Sequence, residues 1–490
     1  MRRLRDVLLV TPPYHCGMVE SAGVWMPLQL AYLAGSLSAA GFEPRIHDAM
    51  SLFEDAEAVR RHIASAEPDV VAVTACTATL EAALAVLRSA REAAPRAVTV
   101  IGGVHPTHMP TEVLSHAEVD FVVRGEGEAT LPELLACLEA GEDPAKVAGV
   151  SFRERGSGAF VHTRQRPLAP DLDVLPVAWD LVDWPLYHYR TKPGSRLAIA
   201  SWTRGCTGRC TFCSQHKMWR GTWRSRRPER VVAEVRMLAE RFGVDTLEVA
   251  DEYPTCDAAR WEDILDRLIA ADLGVELLTE TRADDIVRDE RIIGKYRDAG
   301  VLHAYVGVES ARQDRLDGMG KRLTTEQGRR AIGLLNDAGI VTETSFLLGW
   351  PGDTPADVDE ALRTALHYAP DLAFFLAVTP WPYADLYAEV ADRVEVHDYA
   401  RYNLIEPIVR PDAMSREELS AKLSEAFASF YAAKMRSVHL LPPEKRAYMM
   451  RVSKLLMEES YLSAEVAESV RRAAAGVRER AGMPAAGVRR

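Results

Sequence analysis

Leu197-Ala198-Ile199-Ala200-Ser201-Trp202-Thr203-Arg204-Gly205-Cys206-Thr207-Gly208-Arg209-Cys210-Thr211-Phe212-Cys213 decides the architecture of this 490-residue chain. The run 197–202 is apolar enough for a buried parallel strand, and it ends in a loop with the spacing Cys-x3-Cys-x2-Cys. Downstream, strand patterns at 246–250, 275–281, 304–308, 341–348 and 372–378 alternate with helical patterns at 228–242, 257–271, 289–299, 325–338 and 355–368. Six βα units in succession predict a partial (βα)6 barrel over 196–411. The cysteine loop then lies at the C-terminal end of the first barrel strand, where barrel enzymes place their chemistry.

Cys206, Cys210 and Cys213 are three of seven cysteines, the others being Cys16, Cys76, Cys137 and Cys256. An odd count with no secretory leader pattern argues against a disulfide framework. Thiolates are soft ligands for zinc or an iron–sulfur cluster. His216 offers a fourth ligand for a structural Cys3His zinc site, and three unrelated thiols are the blandest alternative. A four-iron cubane on three thiolates leaves one iron open, and an open position is what catalysis at a metal requires.

Upstream, strand patterns at 6–10, 43–47, 69–74, 97–101 and 119–124 alternate with helical patterns at 26–40, 56–66, 78–93 and 130–140. They predict an α/β fold, a doubly wound (Rossmann-like) domain over 1–150 with ligand loops beyond its strand C-termini. Those ends hold Pro12-Pro13-Tyr14-His15-Cys16-Gly17, Thr74, Gly102-Gly103-Val104-His105-Pro106-Thr107 and Arg124-Gly125-Glu126-Gly127-Glu128. Taken singly each is a turn; together on one sheet edge they mark a site. No Gly-x-Gly-x-x-Gly follows the first strand, so a plain dinucleotide site is not expected. The Arg-, Gly- and Pro-rich stretch 151–195 predicts a linker.

Past residue 411 the pattern turns helical. Ser415-Arg416-Glu417-Glu418 carries an N-cap with an acidic first turn, and 415–436, 443–459 and 461–480 predict a helical C-terminal domain over 412–490. Trp350, Trp381 and Tyr383, near the last two strand ends, are candidates for an apolar substrate pocket or for core.

Composition narrows the class. Charged residues are 27% and apolar residues 48%, enough for packed cores. The net charge is −12, which disfavours a phosphate-gripping nucleic-acid binder and RNA modification by methylthiolation. No apolar run is long enough to span a membrane. A cytoplasmic protein is expected.

The Cys-x3-Cys-x2-Cys loop, with Phe212 before its last cysteine, resembles the cluster motif of the radical S-adenosylmethionine (SAM) superfamily. A doubly wound domain ahead of such a barrel resembles its cobalamin-binding branch (class B). Within that branch, Cys213-Ser214-Gln215-His216-Lys217-Met218-Trp219-Arg220, Ala250-Asp251-Glu252-Tyr253-Pro254-Thr255 and Thr379-Pro380-Trp381-Pro382 resemble the anaerobic magnesium-protoporphyrin monomethyl ester cyclase group, as do the stretches 394–396 and 399–403.

The resemblance implies a 4Fe-4S cluster on Cys206, Cys210 and Cys213, with SAM and cobalamin as further cofactors. It implies SAM contacts from Phe212, Asp251, Glu252, Glu280, Arg282 and Glu309, at or near successive strand ends. It implies cobalamin contacts from His15, Thr74, Gly102, Gly103, His105, Gly125 and Glu126. The Asp-x-His-x-x-Gly pattern of some corrinoid proteins is absent, so the lower face of cobalt is not expected to carry such a histidine.

The implied reaction is hydrogen abstraction from an unactivated carbon by a 5′-deoxyadenosyl radical, followed by methyl transfer from methylcobalamin. The alternative is cyclase-type oxidation with oxygen from water; a non-catalytic corrinoid carrier or sensor is the reading from another class. The expected partners are a small-molecule substrate and a reductant such as flavodoxin or ferredoxin, with no nucleic acid.

Overall fold

The strand Asp6–Thr11 (β1) is apolar on both faces because it has a strand on either side in a sheet covered on both faces. The computed structural model describes residues 4–16, 22–154 and 156–459. The helix expected over 461–480 and Gly17 lie outside the described residues.

β1 pairs in parallel with Glu43–Asp48 (β2) and Val70–Thr74 (β3), and β3 with Val98–Gly102 (β4). Phe121–Val123 (β5) follows in parallel on β4. The helices Leu28–Ala39 (α1), Ala56–Ala66 (α2), Leu80–Ala93 (α3) and Gly127–Ala140 (α4) make the crossovers. Their ends follow local chemistry: Asp55 accepts a hydrogen bond from Ala58 N to start α2, and Gly141, with φ +68°, closes α4. Two apolar clusters result, one on each face of the sheet.

The linker expectation over 151–195 needs correction. Val150–Arg153 (β6) and Phe160–His162 (β7) form a hairpin that adds antiparallel to β5, extending the sheet to the order β2-β1-β3-β4-β5-β6-β7. These strands are short and β7 is largely exposed, so neither an apolar run nor a clean alternation marked them. Farther along, Trp179 and Trp184 are buried, Trp184 stacking on Phe242 at 4.9 Å. His188–Tyr189 pairs with Gly23–Val24. The connection is therefore a packed strap between the two α/β layers.

The second sheet is wholly parallel, in the order Leu197–Ala200 (β8), Thr246–Val249 (β9), Glu276–Arg282 (β10), Val301–Glu309 (β11), Val341–Leu348 (β12) and Leu372–Ala377 (β13). β8 and β13 do not pair with each other, so the barrel is open along one side. Outer helices include Pro228–Phe242 (α5), Ala258–Ala271 (α6), Ala283–Arg288 (α7), Ile293–Asp298 (α8), Thr325–Asp337 (α9) and Pro355–Tyr368 (α10). Thr324 with Gln327, and Thr354 with Asp357, form capping boxes that start α9 and α10.

Arg416–Ser437 (α11) begins at the expected cap: Glu418 N donates to Ser415 Oγ, and Ser415 N to Glu418 Oε2. It packs on α10 and β13, burying Leu419, Leu423, Phe427, Phe430 and Tyr431. Pro443–Glu459 (α12) follows and buries Tyr448, Met449, Val452 and Leu456. Among the described residues no helix is long and apolar enough to cross a membrane.

Candidate active site

The cysteine loop is clamped at both ends. Thr203–Arg204 pairs antiparallel with Arg224–Ser225, so residues 205–223 leave and return side by side. Gly205 sits at φ +103°, where a Cβ would run into the Thr222 carbonyl, so only glycine fits. Glu252 ties the loop to the end of β9: its carboxylate accepts from Gly205 N at 3.0 Å and from Trp219 Nε1 at 2.6 Å. Thr211 N donates to Met319 O and Leu386 N to Thr211 O, while Phe212 packs against the apolar cluster that holds Met319 and Leu386.

The three thiols are half-buried and near enough to act on one another. Burial pushes the Cys213 thiol up to about 12, and Cys210 and Cys206 add to the rise. Gly208 N points at Cys206 Sγ (3.3 Å) and Gln215 N at Cys213 Sγ (3.5 Å). Three soft donors on one loop, two of them with backbone amides aimed at their sulfurs, suit an iron–sulfur cluster. His216 does not join them; its Nε2 lies 3.3 Å from Asp385 Oδ2, so the Cys3His zinc set is not assembled.

Around Cys210 stand the ends of β10 and β11. Glu309, at φ +65° and buried, pairs with Lys321 Nζ at 2.6 Å. Arg282 donates to Asp284 and to the Lys321 carbonyl and lies 5.7 Å over the Tyr253 ring. Both cations oppose the rise that burial imposes on Cys210. Asp251 differs from the expectation. It is buried, lines neither large cavity, and accepts from Trp202 N at 2.8 Å, so it braces the chain before the loop instead of facing a ligand.

A cavity of about 420 Å3 opens between the two α/β layers. Its upper wall is Thr74, Gly102, Gly103, Gly125 and Glu126 from the doubly wound domain; Ile199, Ser201, Arg204, Trp219 and Glu252 face them from the barrel. Gly103, at φ +106°, presses its backbone on Ala75, whereas a Cβ on Gly125 would meet nothing within 4 Å. The cavity also runs inward past Leu30, Leu33, Ala72 and Val100 toward the sheet. A glycine-edged mouth over an apolar slot fits a broad flat cofactor with an appended tail, as cobalamin is.

Two expected contacts are placed elsewhere. His105 is fully buried, its Nδ1 3.1 Å from Thr77 Oγ1 and its ring edge-on to Tyr383 and Tyr399. His15 lies on the exposed loop after β1, stacked on Phe53 at 4.6 Å, and does not line this cavity.

A second cavity, of about 470 Å3, occupies the barrel lumen. Glu248, Glu280, His303, Tyr305, Glu343 and Ser345 project into it from β9 to β12, and Phe374 from β13. Tyr431 on α11 and Tyr448, Val452 and Leu456 on α12 cover the open side, and Trp25 and Tyr189 close one end. Register explains the grouping: Glu280, Tyr305 and Glu343 are direct neighbours across three strands. His303 Nε2 is 3.1 Å from Glu343, Tyr305 OH 2.5 Å from Ser345 Oγ, and Tyr189 OH 2.6 Å from Tyr448 OH.

Depth inside the barrel, then the charge of Glu343, pushes Glu280 up to about 7 although its side chain is exposed to the lumen, and depth likewise raises Glu248. Glu280 thus stands inside the lumen, not at the barrel rim. The expected aromatic pocket is corrected too. Trp350 is buried against the outer wall, its Nε1 bonded to Leu347 O; Trp381 packs on the same cluster; Tyr383 bonds Thr77 and stacks on His108 at the seam between layers.

The lumen residues had one sequence signal: glutamates inside otherwise apolar strand patterns, an arrangement core packing disfavours. Lys321, Arg204 and Arg224 had none.

Comparisons with known proteins agree with this geometry. A B12 binding domain model matches residues 14–135 and a Radical SAM superfamily model residues 200–365. The anaerobic magnesium-protoporphyrin IX monomethyl ester cyclase of Rubrivivax gelatinosus is 38% identical over 93% of this chain and 83% of its own. An uncharacterized methyltransferase of Pyrococcus horikoshii is 28% identical over 88% of this chain and 93% of its own. The solved radical SAM methyltransferase TsrM from Kitasatospora setae, with cobalamin and a [4Fe-4S] cluster bound, shares the fold at TM-score 0.68 and 18% identity, covering 98% of this chain and 100% of that one. With both domains in one chain and a relative of that identity matched nearly end to end, the protein belongs to the cobalamin-binding radical SAM family and is a cobalamin-dependent radical SAM enzyme.

Proposed function

We propose that the enzyme oxidises an unactivated carbon of a small molecule held in the barrel lumen, with the new oxygen drawn from water. When bound, the cluster and SAM supply a radical that removes a hydrogen atom, and the corrinoid supplies either a one-electron acceptor or a methyl donor. Cys206, Cys210 and Cys213 would hold the cluster. Glu309, Lys321 and Arg282 surround Cys210 and would meet the polar parts of SAM. Thr74, Gly102, Gly103 and Gly125 would line the corrinoid.

The observation that carries the oxidative reading is the base-lined lumen. Adding water to an electron-deficient carbon releases a proton, and a nearby carboxylate must take it. Glu280 is poised near neutrality, with Glu343 and His303 beside it to pass the proton on. Trapping a carbon radical with a methyl group releases no proton at the substrate and leaves these bases without a task. Phe374, Tyr431 and Val452 line the lumen beside these bases, and the exposed Glu280 carboxyl leaves room for the water that reacts. This reading includes a one-electron reductant of the flavodoxin or ferredoxin class, no nucleic-acid partner and a cytoplasmic setting.

The test uses protein reconstituted anaerobically with iron, sulfide and hydroxocobalamin, given methyl-deuterated SAM and magnesium-protoporphyrin IX monomethyl ester in 18O-labelled water. The expected product carries one 18O and no deuterated methyl group, with 5′-deoxyadenosine formed alongside. A product bearing a labelled methyl group and no 18O overturns the oxidative reading.

A further inference from the structure

The two cofactor-facing loops are joined by one side chain. Arg204 lies two residues before Cys206 and is almost fully buried. Its Nη1 pairs with Glu126 Oε1 at 2.9 Å and its Nη2 with Glu128 Oε1 at 2.6 Å, while its guanidinium lies 4.9 Å over the Tyr32 ring. Glu126 lies between Gly125 and Gly127, all three lining the cavity between the layers.

Arg224, the cross-strand partner of Arg204, grips the same Glu126 with Nη2 at 2.9 Å. The other Glu126 oxygen accepts from Ala169 N at 2.6 Å. These partners outweigh desolvation and hold the Glu126 carboxyl below its usual range. Both acids belong to the doubly wound domain and both arginines to the barrel.

A buried fork of this kind has one low-energy arrangement. Guanidinium and carboxylate are rigid and planar, so a tilt in either loop breaks at least one charged bond inside the protein. A ligand that orders the glycine loop therefore orders the strand leading into Cys206, and the reverse holds by linkage.

We propose that Arg204 is a positioning residue that couples the two sites: occupation of the cysteine loop by its cluster tightens corrinoid binding, and corrinoid tightens cluster retention. Glu128 is the arm specific to Arg204, since Glu126 also has Arg224. Lysine at 204 keeps the charge but cannot span two carboxylates.

The experiment measures hydroxocobalamin Kd on the full-length protein, cluster-free and after iron–sulfur reconstitution, for wild type, Arg204→Lys and Glu128→Gln. Wild type is expected to bind ~5-fold or more tighter once reconstituted, the lower end of ordinary coupling. Arg204→Lys is expected to show the same Kd cluster-free and reconstituted, whatever its absolute affinity, and so to lose that tightening, which a merely structural contact would not do selectively. Retention of full tightening in Arg204→Lys, or no tightening in wild type, overturns the proposal. If Arg204→Lys does not fold, Glu128→Gln decides by the same readout: lost tightening supports the coupling and retained tightening overturns it.

Discussion

Asp251 allows a quantitative check on whether the acid at the end of β9 braces the loop or binds a ligand. It is 2% exposed, accepts from Trp202 N, and its Oδ2 has no partner. Burial is the largest cause that raises its carboxyl from 3.8 to about 7. A carboxyl raised on folding binds its proton more tightly in the native state. It therefore favours the fold fully below pH 3.8, and that contribution fades as pH climbs through about 7. The gap corresponds to at most about 4 kcal/mol. Asp251→Asn mimics the protonated form at every pH. Its orphaned amide costs about 1–3 kcal/mol, a constant that pH does not touch.

The stability difference, variant minus wild type, should therefore rise by up to about 4 kcal/mol between pH 4 and pH 8, starting negative and ending near or above zero. Urea unfolding of the cluster-free protein, followed by tryptophan fluorescence, reports it, since Trp202 and Trp261 are fully buried beside this site. A difference flat with pH refutes the reasoning. Reconstituted Asp251→Asn should still form 5′-deoxyadenosine with SAM, and loss of SAM binding without loss of fold would show the residue to be a ligand after all.

Further outcomes follow from the same geometry. Glu280→Gln should cut oxygenated product ~100-fold or more and abolish an acid limb in the pH–rate profile near pH 7. Glu343→Gln should move that limb to lower pH by removing a neighbouring negative charge, and an unmoved limb in both variants counts against the base assignment. Cys206→Ala should abolish 5′-deoxyadenosine under dithionite while hydroxocobalamin still binds. Gly103→Ala, whose Cβ would strike the Ala75 carbonyl from a left-handed backbone, should lower stability by roughly 1–3 kcal/mol and weaken hydroxocobalamin binding; wild-type affinity would place the corrinoid elsewhere.

The parts readable in the sequence were local in it. Cys206, Cys210 and Cys213 fall within eight residues, and Gly102-Gly103 and Gly125-Glu126-Gly127 directly follow apolar strands, so spacing alone located them. The lumen was not local: Glu248, Glu280, His303 and Glu343 come from four strands, and only the register brings them level. Trp350, Trp381 and Tyr383 misled because residues just past a strand end leave its alternation, and nothing in periodicity says whether they turn inward. His105 sat in the right loop but turned under it to Thr77. The β6–β7 hairpin escaped notice because edge strands have a wet face and little apolar pattern.

The bond between Tyr189 and Tyr448 bears on how the molecule is made. The lumen draws its walls from residues 22–25, from 189–191 and from 448–456, the last stretch to leave the ribosome of all those lining it. Both cofactor-facing loops are complete by residue 252, about two hundred residues earlier in synthesis. Once Met319 and Leu386 have braced Thr211, the cysteine loop has its described supports while the reaction chamber still stands open, and the chamber shuts only when α12 arrives. Chains cut short near residue 440 should accordingly keep both cofactors while leaving any reactive carbon unguarded from water.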